Sequence, residues 1–196
     1  MDHKEELVDK FLICSFGSIG KRHLSVIKAY DPSIKVAIYR SGNGKNSIEE
    51  DLADLVTQNI EEALDWRPKG AIICSPATEH LKQSLYFGKQ RIPLLIEKPV
   101  GTGYENYRLW NNLRNISKYL PILIGYTLRH NELIKEVEEY LRINQLGKII
   151  DADFYCGSWL PSWRPGQDYK QTVSSRKELG GGVLLELSHE IDLANF

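Results

Sequence analysis

Lys10-Phe11-Leu12-Ile13-Cys14-Ser15-Phe16-Gly17-Ser18-Ile19-Gly20 is a short apolar run that ends in a glycine-bearing turn. Lys21 to Tyr30 follows with helical spacing, placing Leu24, Val26 and Ile27 on one side, and Asp31-Pro32 stops it because proline cannot continue a helix. Ile34 to Tyr39 is a second β-branched run, so the opening residues form a complete βαβ unit. The turn has the shape G-x-G-x-x-G with Ser15 in the first glycine's place. In such a turn Gly17 lets the backbone approach a pyrophosphate, Gly20 lets helix and strand pack, and the N–H groups of Phe16, Ser18 and Ile19 face the anion at the helix start.

The alternation continues. Asn59-Ile60-Glu61-Glu62 has the form of a capping box, in which Asn59 accepts from the first turn and Glu62 reaches back. The helix it opens ends before Pro68. Ala71 to Cys74 is a buried strand, Thr78 to Gln90 a helix and Pro93 to Ile96 another apolar strand. This order predicts a doubly wound parallel sheet covered on both faces, a Rossmann domain over residues 1–124. The pattern then changes. Asn131 caps a helix carrying Leu133, Val137 and Leu141, ended by Gly147, and Lys148 to Cys156 alternates, with Ile150, Ala152, Phe154 and Cys156 on one face. Residues 125–196 thus read as the start of an α+β domain with an open, mainly antiparallel sheet.

Composition narrows the function. A hydrophobic share of 42% supports a packed core, and 25 basic against 26 acidic residues leave no dense basic block for nucleic acid or an anionic membrane. Three scattered cysteines form neither a disulfide framework nor a metal-ligand pair. The polar start Met1 to Glu6 is unlike a signal or transit peptide, which points to the cytoplasm and a small-molecule partner.

The binding residues follow from strand ends, where open α/β sheets hold ligands. After the second strand the chain reads Tyr39-Arg40-Ser41-Gly42-Asn43-Gly44-Lys45, with no acid for a ribose diol; Arg40, Ser41 and Lys45 suit a 2′-phosphate, so NADP is favoured over NAD. Ser75, Pro76, Thr78 and His80 follow the strand Ala71 to Cys74 and are placed along the cofactor cleft. His80 taken alone reads more readily as a residue that caps or packs within its helix than as a catalytic one. Glu97-Lys98-Pro99 closes the next strand, and a lysine there can stabilise a developing alkoxide. Near the end, Gly180-Gly181-Gly182 runs into Val183 to Leu193, which sets His189 among Glu186, Glu190 and Asp192 as a proton-transfer group.

These segments in this order, with Gly125-Tyr126-Thr127-Leu128-Arg129-His130-Asn131, resemble the Gfo/Idh/MocA family of glucose-fructose oxidoreductases and inositol dehydrogenases. The resemblance implies an NAD(P)-dependent oxidoreductase acting on a secondary hydroxyl of a sugar or cyclitol, with Lys98 and His189 catalytic. It also implies a homo-oligomer assembled through the second-domain sheet. Three departures stand out. Ser15 replaces a glycine, which is tolerable if its φ stays negative. Leu185 stands where many members carry an aspartate, leaving Glu186 or Asp192 to orient His189. Family members also run well past residue 196, so the chain resembles a truncated member. The loop with Trp159, Trp163, Arg164, Asp168 and Tyr169 resembles a subset associated with surface-sugar biosynthesis; with Tyr126 and Arg129 it supplies aromatic faces and charged groups for a sugar-like substrate. The rival readings are a non-catalytic dinucleotide-binding regulator on this fold and an inactive fragment of the enzyme.

Overall fold

The computed structural model describes residues 9–42, 47–103 and 106–196, so Lys45 and the first eight residues lie outside it. The chain forms two compact units, Met1–Ile124 and Gly125–Phe196.

In the first unit six parallel strands stand in the order β3-β2-β1-β4-β5-β6: β1 (Lys10–Cys14), β2 (Lys35–Tyr39), β3 (Leu55–Thr57), β4 (Gly70–Ile73), β5 (Leu94–Ile96) and β6 (Ile122–Ile124). This is the Rossmann order, and its direction reverses between β1 and β4. Pleating divides the core. Leu12, Cys14, Ala37, Ala71, Ile73, Leu94 and Ile96 point to one face, under α2 (Ile60–Asp65), α3 (Ala77–Lys89) and α4 (Tyr107–Ile116). The alternate residues Ile13, Val36, Ile38, Ile72 and Cys74 meet Leu24 of α1 (Ser18–Tyr30) on the other. A helix about 10–12 Å across spans little more than two strands. Within this unit α1 accordingly leaves an apolar groove of Phe11, Ile72, Leu95 and Leu123, and the expected cover on both faces is not complete.

Local chemistry departs from the sequence reading in three places here. Val26 faces solvent at 58% exposure, because the side of α1 turned to the core carries Ile19, Leu24 and Ile27. The capping box of α2 is half made: Asn59 accepts from the Glu61 N–H at 2.9 Å, but Glu62 is taken by the Thr57 hydroxyl, which also receives the Asn59 N–H. Ser15 has φ +74°, so the serine occupies the left-handed conformation that glycine adopts freely. Ser15→Gly is therefore expected to raise the unfolding free energy by up to about 1 kcal/mol, the left-handed cost less glycine's extra chain entropy. An unchanged or lower denaturation midpoint would show that the serine side chain offsets the strain.

In the second unit α5 (Glu132–Arg142) begins where expected, with the Asn131 carbonyl oxygen accepting from the N–H groups of Leu133 and Ile134. The strand expected over Lys148 to Cys156 is absent among the described residues. Ile150 is 96% exposed and Phe154 46%. Alternation alone does not make a strand; backbone groups need a neighbouring strand to bond, and this segment has none in the unit. The helix after Gly182 is also broken, into α6 (Val183–Glu186) and α7 (Ser188–Leu193), with Leu187 at φ −103° and ψ 34° between them.

Candidate functional site

At the β1–β4 reversal, Gly17 starts α1 in extended backbone with no heavy atom within 4 Å of where its Cβ would lie. Gly20 is the opposite case. A Cβ there would stand 2.6 Å from the Ser15 carbonyl oxygen. Phe16 and Ile19 turn their side chains into the α1 core, so this turn offers a ligand its backbone and the Ser18 side chain. Across the reversal, the Ser75 hydroxyl is buried without a hydrogen-bond partner among the described residues, Pro76 caps α3 and Thr78 is half-buried in its first turn. Open space at Gly17, bare helix N–H groups and an orphaned hydroxyl fit a dinucleotide lying across the reversal.

The end of β2 differs from its sequence reading in one respect. Arg40 is 7% exposed and its guanidinium lies 2.5 Å from Glu50, which also accepts from the Ser47 N–H at 3.1 Å. No acid follows β2 directly, yet the 3-10 turn Ile48–Leu52 folds one back beside it. The Ser47-x-x-Glu50 capping pattern was the available signal.

At the end of β5, Lys98 is half-buried between two residues held by histidines. Glu97 lies 2.7 Å from His23 Nε2, which α1 presents three residues beyond Gly20. His80 is 2% exposed, with Nδ1 2.7 Å from the Pro99 carbonyl and Nε2 2.7 Å from the Ser75 carbonyl. Both nitrogens being engaged, His80 lies behind the cleft and presents neither to a ligand. Burial pushes its imidazole below the ordinary range, as Lys98 does, against the upward pull of the two carbonyls and Glu97. His23 was not recognisable from sequence, since nothing local marks its partner 74 residues away.

In the second unit, His189 packs edge-on against Tyr126 with ring centroids 5.6 Å apart, and its Nδ1 is buried without a partner among the described residues. The break at Leu187 removes the continuous helix that would align Glu186 with His189. Asp192 is held elsewhere: Arg129 donates to its two oxygens from Nε at 2.7 Å and Nη2 at 2.5 Å. Gly181 is obligatory, since a Cβ would fall 2.2 Å from the Val173 carbonyl oxygen. Trp163, Arg164 and Tyr169 line one shallow depression, whereas Asp168 caps the turn Tyr169–Gln171 by accepting from the Lys170 N–H at 3.0 Å.

No protein-family model matches the sequence, and no curated protein does. Solved structures do match. One is the scyllo-inositol dehydrogenase of Lactobacillus casei with bound NAD(H) and scyllo-inositol, at 18% identity over 72% of this chain and 43% of that one, with a TM-score of 0.62. The fold is that of the Gfo/Idh/MocA dehydrogenases. Myo-inositol 2-dehydrogenase of Lactobacillus plantarum shares this dehydrogenase fold at 17% identity over 73% of this chain and 43% of that one, TM-score 0.61. The WlbA dehydrogenase of Bordetella pertussis, in complex with NADH and UDP-GlcNAcA, does so at 15% identity over 72% of this chain and 41% of that one, TM-score 0.61. The chain therefore spans less than half the length of these Gfo/Idh/MocA structures. Among the described residues no helix is long and apolar enough to cross a membrane.

Proposed function

We propose that the chain belongs to an oxidoreductase that uses a nicotinamide dinucleotide to move hydride to or from a secondary hydroxyl of a sugar or sugar derivative. The observation that carries this reading is the β1–β4 reversal, where paired strand ends lead into open Gly17 and into the Ser75 hydroxyl, buried without a partner among the described residues, with Lys98 at the next strand end. Structures of the same fold contain NAD(H) with scyllo-inositol and NADH with UDP-GlcNAcA, which supports a polyhydroxylated substrate. Bound there, the nicotinamide would supply or accept the hydride. Lys98 then stabilises negative charge on the substrate oxygen through its ammonium, and His189 takes or returns the hydroxyl proton. Trp163, Arg164 and Tyr169 bind ring faces and hydroxyls.

Cofactor choice turns on Arg40. A 2′-phosphate must compete with Glu50 for its guanidinium, which weakens the NADP preference suggested by the missing acid and gives NAD a larger share. Arg40→Ala is expected to weaken NADPH binding by about 1–3 kcal/mol and hardly change NADH. Glu50→Gln, which releases the guanidinium, is expected to shift preference towards NADPH. Fluorescence titration with both dinucleotides reads these effects, and equal losses for both in Arg40→Ala would remove the 2′-phosphate site. A screen of sugars and sugar nucleotides for nicotinamide absorbance change then tests the reaction; binding with no turnover on any polyol would favour the regulator reading.

A further inference from the structure

His80 is a buried titratable side chain near Lys98 that the proposed reaction leaves without work. It is fixed in α3 and reaches two loops at once: the Ser75 carbonyl in the β4–α3 turn and the Pro99 carbonyl immediately beyond the lysine, each 2.7 Å away. Both partners are acceptors, so every hydrogen bond here needs a proton on the ring. A neutral imidazole has one N–H and serves one carbonyl; a protonated ring serves both. The site is 2% exposed, so water cannot replace a lost donor. On the other side of the lysine, His23 holds the Glu97 side chain at 2.7 Å.

We propose that His80 is a positioning residue for Lys98, tying the Pro99 carbonyl to the Ser75 turn so that the lysine is held at the cleft. The idea rests on the proposed dehydrogenase reading for the lysine's use, but the tether itself does not. Glu97 and Lys98 are the charged groups facing the ring; the first favours its protonation and the second opposes it. The number of protons on His80 therefore sets how many loops it holds, and gain of the second proton draws the lysine loop and the Ser75 turn together.

The test compares His80→Leu, which fills the volume with no donor, with His80→Gln, which keeps an N–H within reach of one carbonyl. In the chain carrying isotope-labelled lysine, the Lys98 NMR signal is expected to move in His80→Leu and to return towards its original position in His80→Gln, with other lysines unchanged. A purely structural histidine would lower the melting temperature in both variants and leave the Lys98 signal in place, which overturns the proposal. If His80→Leu does not fold, His80→Gln decides: the wild-type Lys98 signal is expected to step as His80 gains its second proton and the variant's to lose that step, and an identical pH course overturns the tether. In active enzyme His80→Leu is expected to lower kcat by about 10- to 100-fold with KM nearly unchanged. A protein that turns over no substrate would remove the dehydrogenase reading, while the NMR comparison still decides the tether.

Discussion

Gly20→Ala is expected to destabilise the first unit by about 1–3 kcal/mol or more, whereas Gly17→Ala is expected to leave its melting temperature nearly unchanged and weaken dinucleotide binding by about tenfold or more. The two glycines lie three residues apart in one turn, but their surroundings differ. A methyl group at Gly20 meets the Ser15 carbonyl oxygen at 2.6 Å. That carbonyl cannot retreat easily, because the Ser15 N–H is bonded to the Tyr39 carbonyl at 2.8 Å and Ser15 is already at φ +74°. A methyl group at Gly17 meets nothing in the protein and occupies the space a pyrophosphate would enter. Thermal unfolding and NADH titration separate the effects. A wild-type melting temperature for Gly20→Ala would show that the turn can open, and an unchanged Kd for Gly17→Ala would move the pyrophosphate away from this turn.

The first unit was largely legible because each of its main elements carries its own signal. Lys10–Cys14, Lys35–Tyr39 and Gly70–Ile73 are apolar runs bounded by turn residues, and parallel pairing buries them on both sides. Three-residue β3 and β6 gave no period to detect, and α4 was missed although Leu109, Leu113 and Ile116 are spaced for a helix. What escaped notice at the site was set by partners distant in sequence. Glu50 reaches Arg40 only because a 3-10 turn folds back, and His23 reaches Glu97 from another element. The sign of φ at Ser15 is likewise tertiary, since a serine carries no local preference for the left-handed region. In the second unit the Lys148 to Cys156 alternation was real but had no neighbouring strand. The break at Leu187 has no proline or glycine to announce it.

Lys98→Ala and His189→Ala are each expected to lower turnover in the active enzyme by about 10²–10⁴-fold, the range for loss of a positioned proton-transfer or oxyanion-stabilising group. Dinucleotide Kd and melting temperature are expected to stay near the wild-type values, because Lys98 is only half-buried and the His189 ring makes one edge contact, with Tyr126. The neighbouring carboxylates separate by mechanism. Asp192 is engaged at both oxygens by Arg129, so Asp192→Asn is expected to act by loosening Arg129 and the last turn of the chain, and to lower stability together with activity. Glu186 lies on the far side of the Leu187 break, and Glu186→Gln is expected to cost less than either catalytic change. His189 Nδ1, buried and unpartnered among the described residues, leaves the proton on Nε2 or Nδ1 to be fixed by what enters the site. Turnover and dinucleotide affinity measured side by side in His189→Ala test this role. Near-normal turnover in that variant would require a different base, and a parallel fall in dinucleotide affinity would move His189 from proton transfer to binding.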